Sequence, residues 1–181
     1  KLLFIIPARS LSKRIKNKNI RRFINNKSLL EIKVKNCIQS NLGEVIVSTD
    51  SRKIANIAKK NGAKIPFLRS KKLSSSKATM MSCVIDVICY LKKKKLTIPD
   101  YIAIMPPTYP FTNSNSIRKA FLKLKKNKKF NSICSYSKSA EHPFSFVNIV
   151  NNKIYFDYIR YKKFVLSDFE RTQDYPKSYV L

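Results

Sequence analysis

KLLFIIPARSLSKRIKNKN, residues 1–19, is the stretch whose reading decides the fold. An apolar run, Leu2, Leu3, Phe4, Ile5 and Ile6, stops at Pro7, and a loop carrying Arg9, Lys13, Arg14, Lys16 and Lys18 follows. An unbroken apolar run closed by proline has the pattern of a strand buried on both faces, the first strand of a parallel sheet. In open α/β sheets, ligands bind in the crevice beyond the carboxyl ends of the strands. The fixed positive charge therefore falls where such a fold puts its ligand. It suits an anion with several charges, such as a nucleoside triphosphate. A solvated, lysine-rich loop is the plainer reading, and the composition allows it.

Downstream, helical and extended patterns alternate. Leu30, Val34, Cys37 and Ile38 fall on one face of a helix, and Glu44 to Ser48 reads as the next strand. Asp50 or Ser51 is placed to cap a helix carrying Ile54, Ile57 and Ala58, and Asn61-Gly62 supplies its exit. A short strand is expected at Ile65 to Leu68, which completes two βαβ units. A helix over Ala78 to Leu91 and a strand over Tyr101 to Met105, stopped by Pro106-Pro107, come next. Thr112 to Ser114 can cap a helix with Ile117, Ala120, Phe121 and Leu124 on its apolar side, and Phe130 to Tyr136 reads as a further strand. Leu2–Ile6, Val45–Ser48 and Ile102–Met105 are expected to be central and parallel, with Pro7–Asn19 over their carboxyl ends. From Ser137 onward aromatic residues rise and helical periodicity is lost, and Asn151-Asn152 has the look of a hairpin turn. The expected organisation is an α/β core over 1–136 and a β-rich arm over 137–181. Tyr179-Val180-Leu181 reads as the start of a strand, so a truncated C-terminal end is expected.

The chain has 181 residues, 44% of them hydrophobic and only two of them glycine, which argues against disorder. No run approaches the roughly 20 apolar residues that span a bilayer. The opening run is shorter than the core of a secretory signal, about 7–15 residues. A soluble, cytoplasmic protein with no membrane partner is expected. The formal charge of +28 suggests nucleic acid. The lysines, however, are spread over almost every segment, and a basic surface holds nucleic acid nonspecifically without that being its function. Dedicated nucleic-acid binding therefore ranks below an enzyme. Cys37, Cys83, Cys89 and Cys134 form no C-x-x-C pair, so buried reduced thiols are expected rather than zinc. His142, the one histidine, precedes Pro143 in a polar turn and reads as structural.

IPARSLSKRIKNKNI resembles the N-terminal signature of the acylneuraminate cytidylyltransferase family, the CMP-sugar synthetases. Arg9, Ser12, Lys13, Lys18 and Asn19 match it, while Ser10 and Leu11 stand where the family has glycines. EVIVSTDSRKIANIAKKNGAKIPFLR, LSSSKAT, MPPTYPFT and RTQDYPKSY match further family segments in the expected order. Together they cover nearly the whole chain. Ser76 replaces an aspartate common in the family. Pro106 stands where the family has a glutamine whose amide helps recognise cytosine, and it has no side-chain hydrogen-bonding group.

The resemblance implies a Rossmann-like nucleotidyltransferase fold, a mainly parallel sheet flanked by helices, with a β-rich dimerisation arm. It implies joining CTP to an acidic nine-carbon, sialic-acid-like sugar, with pyrophosphate released, in a homodimer. Arg9, Lys13 and Lys18 would be the catalytic cations that hold the triphosphate, with Ser12 and Asn19 adding neutral hydrogen bonds. Arg69, Thr79 and Thr108 would contact the nucleoside. Arg171 and Gln173 would meet the sugar carboxylate and its polar substituents, with Tyr179 near by. Mg²⁺ would bridge phosphate oxygens, its ligands expected beyond Leu181 rather than among these residues. Two alternatives stay open. One is a relative that activates another acid sugar (pseudaminic, legionaminic or octulosonic acid), the other a non-catalytic basic nucleic-acid-binding module.

Overall fold

The computed structural model describes residues 1–10, 15–75, 78–138, 147–150, 153–156 and 176–180, with side chains as far as residue 135. The elements run β1 Leu2–Pro7, β2 Arg22–Ile24, β3 Lys27–Ser28, α1 Leu29–Gln39, β4 Gly43–Ser48 and α2 Arg52–Lys60. They continue with α3 Met80–Lys93, β5 Tyr101–Ile104, α4 Ser114–Lys126, β6 Ser135–Lys138, β7 Val147–Val150, β8 Lys153–Phe156 and β9 Pro176–Val180. The chain falls into two compact units, Lys1–Ile133 and Cys134–Val180.

In the first unit β1 is the central strand. It pairs in parallel with β4 on one side and β5 on the other, with Phe4 opposite both Val45 and Ala103. Alternate residues of β1 serve opposite faces, as the pleat requires. Leu2, Phe4 and Ile6 pack with Leu30, Val34 and Cys37 of α1, Ile54 and Ala58 of α2, and Ile117 of α4. Leu3 and Ile5 pack with Val84, Val87 and Leu91 of α3. Phe4, Ile5 and Ile6 are each fully buried, and each contributes about 1.5–3 kcal/mol relative to exposure. The strand expected to be buried on both faces is so, and all three strands are parallel as expected, but only β1 is central, with β4 and β5 flanking it in this sheet.

The helix ends are set by polar side chains. Ser28 caps α1 through a reciprocal pair with Glu31, the hydroxyl accepting from the Glu31 N–H while the Glu31 carboxylate accepts from the Ser28 N–H. Of the residues expected on the buried face of α1, Ile38 alone is exposed. Ser51, not Asp50, caps α2. Gly62 leaves that helix at φ +90°, as the Asn61-Gly62 pair suggested. Helix α3 starts at Met80 rather than Ala78 because Thr79 turns outward as its N-cap. Asn113 caps α4.

Three extended expectations need correction. Ile65–Leu68 is not a strand. Lys64 exchanges backbone bonds with Val45 and Val47 (2.8 and 3.0 Å), but two residues on, Pro66 has no N–H to continue the ladder, and only an isolated bridge remains. Phe130–Tyr136 becomes a strand only from Ser135, since Phe130 donates to the Asn127 carbonyl in a turn and its ring stays exposed. The hairpin β2–β3 was not anticipated. Its two-residue turn places Asn25 and Asn26 at φ 48° and 57°, the conformation that asparagine tolerates best after glycine.

In the second unit β6 pairs antiparallel with β9, and β7 with β8. Val150 stands opposite Lys153, so the expected hairpin about Asn151-Asn152 has its strands in place. His142 lies outside the described residues. All four cysteines are free, but Cys89 is exposed on α3 rather than buried.

Candidate functional site

At the carboxyl end of the sheet, loops from β1, β4 and β5 converge. The Ala8 N–H donates to the Ser48 carbonyl at 3.0 Å, carrying the parallel pairing one residue past Pro7. Ser10 is then tied to Asp50, its N–H donating to Oδ1 at 2.8 Å and its hydroxyl to Oδ2 at 2.6 Å. The loop after β1 is thus locked to the loop after β4. Ser10 is not among the residues with positive φ, so this position accepts a side chain and uses it. Asp50, expected as a cap, is instead the loop's anchor.

Arg9 reaches from this loop to the segment before α3, its Nη1 donating to the Ser75 carbonyl at 3.0 Å. Asn19 closes the loop from behind. It is buried, its Nδ2 donates to the Arg9 carbonyl at 3.3 Å, and its own carbonyl accepts from the Leu30 N–H at 3.0 Å. Lys18 is half-buried beside it. Ser12 and Lys13 lie outside the described residues, as do Arg171 and Gln173. Tyr179 is in β9 of the second unit, opposite Tyr136.

Arg69 follows the interrupted segment after α2. Its N–H donates to the Thr49 carbonyl at 2.7 Å, which brings it to the same end of the sheet as Arg9. Its side chain is only 6% exposed, and Nη1 contacts the Cys83 thiol on α3. Nε and Nη2 are buried with no hydrogen-bond partner. Such donors are expensive to leave unmade and suit a ligand's acceptors. Thr79 is exposed at the start of α3, its hydroxyl accepting from the Ser82 N–H.

After β5, Pro106 and Pro107 are buried and Thr108 is exposed. This loop is held from α1. Lys33, almost fully buried, donates from Nζ to the Tyr109 carbonyl at 2.7 Å. Asn36 donates from Nδ2 to the Thr112 carbonyl at 3.0 Å. Burial lowers the pKa of Lys33, with Cys37 working the other way. The same burial pushes the Cys37 thiol up to about 12, so it is a neutral packing group. The signal for Lys33 was present in the sequence. It lies three residues after Leu30 and four before Cys37, on the apolar stripe of α1. Arg9, Asn19, Arg69 and Thr108 all follow strands or segments that end at one edge of the sheet. Among the described residues, no three His, Cys, Asp or Glu side chains come together to hold a metal ion. Asp50, the carboxylate of the loop, is already occupied by Ser10. No described helix is long and apolar enough to cross a membrane.

A parallel sheet whose following loops carry Arg9 and Arg69 to its carboxyl edge has the architecture of an α/β protein of the nucleotide-binding kind. The chain belongs to the cytidylyltransferase family, whose model matches residues 3–175. It is accordingly an enzyme of the nucleotidyltransferase class. It is 34% identical, over 99% of its length and 74% of the relative's, to a pseudaminic acid cytidylyltransferase of Campylobacter jejuni. It is 35% identical to a CMP-N,N'-diacetyllegionaminic acid synthase of Legionella pneumophila, over 66% of this chain and 51% of that one. Among solved structures, a CMP:2-keto-3-deoxy-manno-octonic acid synthetase complexed with CTP superposes with a TM-score of 0.57 at 17% identity. That match covers 70% of this chain and 48% of the other, so the chain spans about half the length of that structure. At this identity the likeness concerns the fold alone.

Proposed function

We propose that the protein joins CTP to a nonulosonic acid, giving a CMP-sugar and pyrophosphate. The observation that carries this reading is the family match over residues 3–175, together with the gathering of Arg9, Asn19, Arg69 and Thr108 at the carboxyl edge of one sheet. The anomeric hydroxyl oxygen attacks the α-phosphorus. The bond from that phosphorus to the bridging oxygen breaks, and pyrophosphate leaves with the electron pair while the hydroxyl proton is lost. Arg9, Lys13 and Lys18 hold the triphosphate and meet the charge that grows on the leaving group. Ser12 adds a neutral donor. Asn19 acts through the backbone, bracing the Arg9 carbonyl. Arg69 offers its unpaired N–H groups to the acceptor edge of the base, a part that matters more because Pro106 brings no amide. Thr79 and Thr108 line the nucleoside.

Arg171, Gln173 and Tyr179 take the sugar in the same proposal. So does an arm over 137–181 that pairs with a second copy in a cytoplasmic homodimer, beside a core over 1–136. Magnesium would screen the phosphates, held by ligands outside the described residues. Pseudaminic acid is the nonulosonic acid favoured, because the relative of that name matches 99% of the chain. The test is pyrophosphate release from CTP with magnesium and a panel of N-acetylneuraminic, pseudaminic, legionaminic and octulosonic acids. Release with one nine-carbon acid supports the reading. Silence with every acid, beside tight salt-sensitive binding of oligonucleotides, overturns it in favour of a binding module.

A further inference from the structure

A guanidinium as deeply buried as that of Arg69 needs a counter-charge, since an isolated buried ion is costly. The contact of its Nη1 is with Cys83 Sγ rather than with a carboxylate. Three residues further along α3, on the same face, stands Asp86. One carboxylate oxygen of Asp86, Oδ2, is buried and also lacks a hydrogen-bond partner. No ion pair within 4 Å joins Asp86 to Arg69, yet the two interact electrostatically. Burial raises the pKa of Asp86, and the Arg69 charge opposes that rise. A half-buried carboxylate with one unpartnered oxygen and a buried guanidinium with two unpartnered nitrogens are therefore electrostatically coupled beside Cys83. A directly paired arginine would have spent its N–H groups on its partner. A counter-charge that makes no direct ion pair leaves Nε and Nη2 free.

We propose that Asp86 is the positioning residue of the nucleotide site, a through-space counter-charge that keeps the Arg69 guanidinium buried, oriented and open-handed toward the acceptor edge of a pyrimidine base. This rests on the reading of Arg69 as a nucleoside contact. It makes Asp86 a determinant of nucleotide affinity although it touches no substrate, and it assigns to α3 a part in recognition that Pro106 cannot play.

The test is a double-mutant cycle in the full protein, read as KM and kcat for CTP. Asp86→Asn and Arg69→Met are each expected to raise KM for CTP about tenfold, the scale of one charge-assisted bond, with kcat changed by less than about twofold. The double variant should be no worse than Arg69→Met alone, because a residue that acts through Arg69 has nothing left to act on. Asp86→Glu, which keeps the charge, should restore KM to within about threefold. Thermal melting of each variant identifies any that fails to fold. If Asp86→Asn does not fold, Asp86→Glu and the charge-free pair Arg69→Met with Asp86→Leu carry the comparison. An Asp86 effect that persists undiminished in the Arg69→Met background overturns the proposal, as does a normal KM in Asp86→Asn while Arg69→Met is impaired. A normal KM in Arg69→Met overturns the nucleoside reading of Arg69 itself, and the proposal with it.

Discussion

Lys33 lies almost fully buried on α1 with its ammonium 2.7 Å from the Tyr109 carbonyl. Burial sets its pKa below the ordinary 10.5. Between that lowered value and 10.5 the unfolded chain binds more protons than the folded one, so stability rises with pH across the window. Lys33→Met should abolish this alkaline rise. At neutral pH it should change stability by less than about 1 kcal/mol, because the buried charge is removed along with its bond. The loop carrying Thr108 loses its tether, so KM for CTP should increase. Urea unfolding at neutral and alkaline pH, with steady-state kinetics, checks all three; a variant that keeps the rise assigns it to another group. The loop after β1, proposed to hold the triphosphate, makes a different demand. Arg9→Ala and Lys13→Ala should each lower kcat/KM for CTP by about 3 kcal/mol in barrier terms, the cost of one lost transition-state donor. Lys125→Ala, at an exposed position in the last turn of α4, should leave kcat/KM as it was. Equal losses at Lys13 and Lys125 would mean that general charge, not a site, is at work.

Strand pairing at β4 begins at a residue with no room for a side chain. A Cβ on Gly43 would stand 1.9 Å from the Leu2 carbonyl oxygen, and backbone of a central strand cannot step aside cheaply. Gly43→Ala should cost about 3 kcal/mol, at the upper end of overpacking, seen as a lower urea midpoint with an unchanged slope. Ser28→Ala, which opens the capping box of α1, should cost about 1 kcal/mol in the same measurement. At this scale the sequence was most informative where one signal had no rival. The apolar runs of β1 and β4 are buried, whereas that of β5, expected to be buried as well, is only partly covered with Ile102 exposed; Ser51, Asn61 and Gly62 sit where turn chemistry wants them. Ile65–Leu68 was misread because its β-branched and aromatic composition hid the single missing N–H of Pro66. The β2–β3 hairpin was missed because Arg22, Phe23 and Ile24 are all exposed, so no alternation marks them, and only Asn25-Asn26 betrays the turn. The site was less legible than the fold. Arg9, Arg69 and Thr108 are candidates taken from family motifs, whereas the bonding of Ser10 to Asp50 joins residues remote in sequence that no periodicity links.

The whole chain carries +28, and its cations are spread over almost every segment of the sequence. Binding to random duplex DNA should therefore be counterion release without recognition, falling by about 10³-fold or more between 50 and 200 mM salt. KM for CTP should rise far less steeply over the same range, because its contacts are few and partly buried. Filter binding and initial rates across a salt series separate the two, and parallel slopes would favour a nucleic-acid module. The interruption at Pro66 has a consequence at this scale. The segment from Lys64 to Arg69 lies along the outer side of β4, bonded to Val45, Val47 and Thr49, without becoming a strand. It occupies the edge yet presents no regular row of donors and acceptors to a neighbouring molecule. Exposed strand edges are where soluble proteins begin to recruit copies of themselves into insoluble assemblies, and one imino acid closes this one. Restoring the N–H, as in Pro66→Thr, would extend the sheet by a fourth strand and in doing so hand the molecule a template for its own precipitation.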